Sequence, residues 1–238
     1  MVRPLVFALV LALSATGACA DRYSDCNQSA DPDRRIRGCT QVIERGEGES
    51  RENRSFAYTN RGNAYDDKGE FDRAIADYTK AIALDPNYAI AYNNRGLTYE
   101  KKGEIDRAIA DSTKAIALDP NYAIAYNNRG NAYSRKGEHD RAIADSTKAI
   151  ALNPKSAFAY YNRGLAYGRK GAFDRAIADY DAAIAIDPKL AQAYYNRGVA
   201  YYEKGDKEQA IADFRKALEI DPSDQYAKNN LKRLGVTP

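Results

Sequence analysis

Residues 61–86 read RGNAYDDKGEFDRAIADYTKAIALDP, and residues 95–120 read RGLTYEKKGEIDRAIADSTKAIALDP. The second stretch is the first moved on by 34 residues, and the shift runs on down the chain. Pro86, Pro120, Pro154, Pro188 and Pro222 keep that step, as do Gly62, Gly96, Gly130, Gly164 and Gly198, and Ala74, Ala108, Ala142, Ala176 and Ala210. A fixed period of this length predicts a solenoid of small, like units. Within the first unit, Tyr58, Arg61, Gly62 and Tyr65 fall at the three- and four-residue spacing of one helical stripe, in a helix expected from Phe56 to Lys68. Gly69 ends that helix as a residue free to take positive φ. Asp72 reads as the N-cap of a second helix. Ala74, Ile75, Tyr78, Ala81 and Ile82 form its apolar stripe, and Asp85-Pro86 stops it because the residue before proline avoids helical backbone. Gly62 and Ala74 are small where the two helices cross. A pair this short cannot bury its stripe alone, so neighbouring pairs must stack on it.

An aromatic residue, a Gly, a Tyr, a turn, an Ala, a large apolar residue and a Pro, in that order over 34 residues, resemble the tetratricopeptide repeat (TPR) pattern. The aromatic is Tyr58, Tyr92, Tyr126, Tyr160 or Tyr194, and the second Tyr is Tyr65, Tyr99, Tyr133, Tyr167 or Tyr201. Tyr stands where the family has Trp, which accounts for 19 Tyr and no Trp in the chain. The resemblance implies an all-α fold: a right-handed α-solenoid of stacked antiparallel helix pairs, with units at 55–88, 89–122, 123–156, 157–190 and 191–224 and a capping helix at 225–238. Three departures stand out. The family's Leu before Gly is Arg61, Arg95, Arg129, Arg163 or Arg197. A guanidinium between helices needs an anion, and Asp77, Asp111, Asp145, Asp179 and Asp213 are the expected partners. Ser112 and Ser146 replace the ring of Tyr78, Tyr180 and Phe214, which predicts thinner packing in the second and third units. Lys207 stands in the turn column of Phe71, Ile105, His139 and Phe173.

The N-terminus reads separately. Arg3 precedes an uncharged apolar run, Leu5 to Leu13, and Ala18-Cys19-Ala20 supplies small residues before Asp21. This is the layout of a secretory signal peptide, residues 1–20, cut after Ala20. The run is well short of the ~20 residues of a membrane-spanning helix, so no span is expected after cleavage. A lipoprotein carrying lipid on Cys19 is the other reading, although the usual leading Leu is missing. Export to the periplasm or medium leaves Cys26 and Cys39, two cysteines in an oxidising compartment, where a disulfide is expected; two free buried thiols are the alternative. Aligned on the repeat, residues 33–40 match residues 72–79, so Cys39 takes the place of Tyr78 and Cys26 that of Tyr65. Residues 21–49 thus read as a shortened, degenerate unit, and residues 46–54 (GEGESRENR) as a polar loop.

Function is expected in the variable columns. In the family, first helices line a groove that takes extended peptides or partner helices. The resemblance carries that role to Asn60, Asn94, Asn128, Asn162 and Asn196, with Asn63 and Asn131 one turn on, Asn93, Asn127, Tyr161 and Tyr195 one residue earlier, and Lys101, Arg135 and Arg169 as a basic patch. A carboxamide both donates and accepts, so a row of them can hold a backbone without reading side chains. The carboxylate-gripping type of the family is not expected, since Thr59, Asn94, Ile124 and Asn128 stand where its cations would. Lys+Arg of 36 against Asp+Glu of 33 gives too balanced a charge for nucleic acid. The single His139 allows no paired-histidine metal or catalytic arrangement, and Gly46-Glu47-Gly48 lacks the Lys-Ser/Thr of a phosphate loop. The reading is a non-catalytic exported scaffold that binds a protein or peptide, without cofactor; the alternative is an envelope protein that associates with its own copies.

Overall fold

The computed structural model describes residues 23–27 and 29–237; the export segment expected at 1–20, with Cys19, lies outside the described residues. Every regular element among the described residues is helical, and none is long and apolar enough to cross a membrane. The chain divides into two compact units, residues 1–98 and 99–238.

In the first unit a short helical stretch, 23–27, precedes α1 (Pro32–Glu44), a 3-10 turn (Gly46–Gly48), α2 (Arg51–Asp67), α3 (Phe71–Leu84) and the start of α4 (Ala89–Lys101). Asp31 starts α1 by accepting the Asp33 N–H at 2.9 Å, with Pro32 in the first turn. The polar stretch 46–54 is a correction to the loop expected there: it forms the 3-10 turn and the first turn of α2. Ser50 explains the early start, because its hydroxyl accepts the Asn53 N–H at 3.1 Å. Composition alone hides such a cap. Asp72 is a second correction. The cap position is Glu70, which makes no side-chain cap bond, and Asp72 lies in the first turn of α3. The column of Asp72 serves the surface instead: Asp33 pairs with Lys68 in this unit, and Asp106 with Lys136 in the other.

Helices α2 and α3 meet at a crossing that requires Gly62. A Cβ there would fall 2.6 Å from Cε1 of Tyr78, so the phenol ring lies directly on the backbone. Gly69, at φ +74°, turns the chain between them. Tyr65, Ala74 and Tyr78 are buried behind this crossing, and Cys26, Cys39, Val42 and Ala57 form a second small core against α1.

The second unit holds α5 (Ile105–Leu118), α6 (Ala123–Lys136), α7 (His139–Leu152), α8 (Ala157–Arg169), α9 (Phe173–Ile186), α10 (Ala191–Glu203), α11 (Lys207–Ile220) and α12 (Gln225–Arg233). Each helix packs on the next, and α8 also touches α6 and α10, so these three first helices form one wall. Gly164 and Gly198 repeat the close approach, onto Tyr180 and Phe214. At Gly130 the ring is replaced by Ser146. There a Cβ would meet the Ala142 carbonyl at 3.2 Å and the Ser146 hydroxyl at 3.1 Å. The ring's place is taken by a hydroxyl that is fully buried without a hydrogen bond. Asp224 caps α12 through the N–H groups of Tyr226 and Ala227. Ala227 and Leu231 close the core over Phe214, while Tyr226 is 74% exposed.

The arginine column pairs as the charge argument requires. Arg129 holds Asp145 with Nε to Oδ2 at 2.7 Å and Nη2 to Oδ1 at 2.8 Å, a two-pronged fork. Arg61 holds Asp77, Arg163 holds Asp179 and Arg197 holds Asp213 in the same way. Each of these aspartates is buried, and each guanidinium also lies near the aromatic column, 5.4–5.7 Å from the rings of Tyr58, Tyr126, Tyr160 and Tyr194. Arg129→Ala leaves Asp145 buried and unpaired. It is expected to cost about 1.5–3 kcal/mol, whereas Lys136→Ala, at an exposed pair, costs within about 0.5 kcal/mol. Urea unfolding of both variants checks this; equal small losses would show that the fork carries no stability.

Candidate functional site

Between α6 and α8, over the end of α7, lies a cavity of about 590 Å³, lined by Asn127, Asn128, Asn131, Asn153 and Asn162 among polar groups and by Ile124, Ala149, Phe158, Tyr161 and Leu165. That volume lies within the range of ligand sites, and no charged side chain lines it. Five of the sequence-expected groove residues, Asn127, Asn128, Asn131, Tyr161 and Asn162, come together here. Their amides are linked along the wall. Asn162 Nδ2 donates to Asn127 Oδ1 at 3.0 Å, and Asn131 Nδ2 donates to Glu100 Oε1 at 2.6 Å. These bonds use one end of each amide. Asn127 Nδ2 and the Oδ1 atoms of Asn131 and Asn162 are left without a protein partner among the described residues. The cavity therefore offers both a donor and acceptors, which is the complement of a peptide backbone.

The other residues are placed differently. Asn196 Nδ2 donates to the Tyr161 hydroxyl at 3.2 Å and to the Gln192 carbonyl at 2.8 Å. Tyr195 accepts from Asn230 Nδ2 and packs among Phe214 and Tyr226, with ring centroids at 5.7 and 6.3 Å. Burial pushes the phenols of Tyr161 and Tyr195 up from their ordinary value, so both stay neutral. The basic patch expected of Lys101, Arg135 and Arg169 needs correction at Arg135. Its guanidinium is tied to Glu100, through the carbonyl at 2.9 Å and the carboxylate at 3.1 Å, so it is not a free cation. Glu100 and Arg135 belong to neighbouring columns, one repeat apart, and neutralise each other. Arg169 is exposed and in no ion pair.

In the first unit Asn63, Asn93 and Asn94 form a cluster. Asn63 Oδ1 accepts from Asn94 Nδ2 at 2.9 Å and from the Tyr78 hydroxyl at 2.8 Å, while Asn60 reaches Asn27 at 3.4 Å. Asn93, expected to face a ligand, is corrected: it is 3% exposed and donates to Asn94. Its column turns inward, as the buried Thr59 shows, so only a cavity beside it, as at Asn127, makes such a residue reachable.

The column that sequence reading passed over is apolar. Phe56 and Ile90 in the first unit, and Ile124 and Phe158 in the second, are 39, 43, 57 and 58% exposed. Ile90, Ile124 and Phe158 are each the second residue of a first helix, and Phe56 lies one turn into the longer α2; an apolar residue there looks like the start of the buried stripe. The signal was its repetition at 34-residue steps at a place outside the stripe of Tyr58, Arg61 and Tyr65.

Comparison with known proteins agrees with this architecture. A family profile described as TPR repeat matches residues 62–103, 101–137, 130–171 and 169–205, and one described as Tetratricopeptide repeat matches 191–224. The chain belongs to the tetratricopeptide repeat family. Among solved TPR structures, MamA is 38% identical, covering 68% of this chain and 94% of its own, at a TM-score of 0.60. YrrB, described as a TPR protein with an unusual peptide-binding site, is 27% identical, covering 82% and 97%, at 0.61. The Cut9–Hcn1 complex of the APC/C, 22% identical over 85% of this chain and 39% of that chain at 0.76, shares the fold. A search of curated proteins finds no match. Proteins of this fold serve as interaction scaffolds.

In this TPR protein the amide bonds along α6 and α8 lie at the cavity surface. Asn162→Ala removes one half-exposed amide bond and is expected to change stability by less than about 1 kcal/mol. A larger drop in thermal unfolding would assign Asn162 to the fold rather than to a ligand.

Proposed function

We propose that this TPR protein is an exported, non-catalytic scaffold that holds an extended segment of a partner protein along the wall of α6, α8 and α10. The observation that carries this reading is the uncharged cavity with unpaired amide groups of both kinds. Exposed Ile124 and Phe158 at its rim supply apolar area for a partner's side chains. An extended chain offers N–H and C=O groups in alternation, so Asn127, Asn131 and Asn162 can be satisfied together without a fixed partner sequence. Capture of partners from a secreted or periplasmic fraction by the purified chain tests it. Changing Asn127, Asn131 and Asn162 together to Ala is expected to remove most of the captured protein while the thermal transition stays in place. Unchanged capture would move the site elsewhere.

The N-terminal pattern supports export, with cleavage after Ala20. Cys26 and Cys39 are both buried, with Cα atoms 4.6 Å apart, a spacing within the range of bridged cysteines, and disulfides belong to oxidising compartments. A bridge closing so short a loop contributes on the order of 3 kcal/mol in the entropic treatment. Intact-mass analysis of the exported protein is expected to show Asp21 at the N-terminus and two hydrogens fewer than the dithiol form. Reduction is expected to lower the unfolding temperature; a chain that keeps residues 1–20, or one indifferent to reductant, contradicts this part of the proposal.

A further inference from the structure

Tyr78 and Tyr180 occupy the same column in two repeats, and their surroundings differ in a way the fold does not require. The ring of Tyr78 lies on Gly62, and its hydroxyl donates to Asn63 Oδ1 at 2.8 Å. Asp66 and Asp67 stand one turn further along α2, where Arg35 pairs with Asp67. The ring of Tyr180 lies on Gly164 in the same manner and is 2% exposed. Here all three neighbours have changed. Leu165 stands in the column of Asn63, so the acceptor is gone. Gly168 stands in the column of Asp66, and even a Cβ on it would come no nearer than 3.7 Å to the Tyr180 hydroxyl. Arg169 stands in the column of Asp67, reversing the charge.

These changes hollow out a cavity of about 360 Å³. Leu165, Phe173 and Val199 give it apolar walls, and Arg169, Asn196 and Glu203 its polar ones. The Tyr180 side chain lines it, and its hydroxyl forms no hydrogen bond with any described residue. The ring is buried but the hydroxyl opens onto the cavity, so its hydrogen is available to whatever occupies that space. Desolvation pushes the Tyr180 phenol well up, so it remains a donor at any ordinary pH. An unpaired donor beside an unpaired guanidinium is a setting for an anion, and the apolar walls suit an anion carried on methylene groups.

We propose that this pocket receives the carboxylate of a Glu or Asp side chain of the segment held in the groove, with the Tyr180 hydroxyl donating to it and Arg169 pairing with it. The inference rests on the groove reading above. Leu165 lines both cavities, so a chain leaving the amide-lined cavity passes this one and presents a side chain to it rather than a terminus. Glu203, exposed on the far wall and not ion-paired to Arg169, opposes the incoming charge and tunes the affinity downward.

The test is amide NMR of the purified chain, titrated with N-acetyl-glutamate N-methylamide and with its glutamine counterpart. The glutamate compound is expected to shift Leu165, Gly168 and Val199 to saturation, with the glutamine compound at least about tenfold weaker. Tyr180→Phe and Arg169→Gln are each expected to lose about tenfold, and Glu203→Gln to gain, in line with single charge-assisted contacts. Thermal unfolding adds a readout without ligand: Tyr78→Phe lowers the transition because Asn63 Oδ1 loses one of its two donors, whereas Tyr180→Phe does not lower it. Equal binding of the two compounds, no saturable shift, or indifference to Tyr180→Phe and Arg169→Gln each overturns the proposal. If the pocket fails while partner capture still depends on Asn127, Asn131 and Asn162, the groove reading survives; loss of that dependence with the glutamate shifts intact removes the groove reading instead.

Discussion

A guanidinium set between helices has to meet a carboxylate, and in this chain it meets more than one element. Arg129 of α6 forks onto Asp145 of α7 and sends its remaining Nη1 back to Thr113 of α5 at 3.1 Å. Arg163 of α8 joins Asp179 of α9 to Thr147 of α7, and Arg197 of α10 joins Asp213 of α11 to Asp181 of α9. In the first unit Arg61 of α2 joins Asp77 of α3 to Thr40 of α1. One side chain per repeat thus ties its own pair together and ties that pair to the one before. A Leu in this column would bury comparable area, but apolar contact has no direction. The fork is satisfied in one register only, because a slip of one residue would strand a buried aspartate, which is costly.

With stacking register held by this column, others are released to differ between repeats. The Tyr78 and Tyr180 sites show how far that release goes. Both rings rest on a glycine, because the crossing leaves no room for a Cβ; yet an amide and two carboxylates in one repeat become Leu165, Gly168 and Arg169 in the other. Nothing in the packing asks for that exchange. It costs the second ring its hydrogen-bond acceptor and opens a cavity beside it. Ser146 shows a different outcome of the same freedom: the ring is lost, and a fully buried hydroxyl without a hydrogen bond stands in its place. Space in a repeat stack is therefore a local property, decided by two or three side chains, and not a consequence of the period.

The sequence declares what recurs. The helix pairs, the glycine crossings and the Arg–Asp partnership each need the same residues in every unit, so the 34-residue step exposes them. It is weaker for what occurs once. Ser50 caps α2 in a stretch whose polar composition suggests a loop. Arg135 resembles a free groove cation until Glu100, one repeat earlier, is seen to reach it. Asn93 and Asn127 share a column, yet one is buried and the other lines a cavity, because a neighbouring side chain decides which amides solvent reaches. The Tyr180 pocket was legible only as three substitutions in one repeat, and substitution away from a template does not by itself say whether space is filled or opened.

The ends of the stack put the same constraint to a different use. An inner repeat buries both of its faces against neighbours, whereas an end has nothing to cover its outer face. At the C-terminus α12 answers with one apolar side, Ala227 and Leu231 on Phe214, and with exposed Lys232 and Arg233 on the other. At the N-terminus α1 is short of aromatic residues, and the columns that hold Tyr65 and Tyr78 elsewhere hold Cys26 and Cys39, both buried. Two such small side chains cannot cover the area of two phenol rings, so apolar burial alone would leave this end the weakest part of the first unit. What α1 does keep is the register column: Thr40 takes the third hydrogen bond of Arg61 just as Thr113 takes that of Arg129. The segment has lost ring packing but retained the polar contact that orients it.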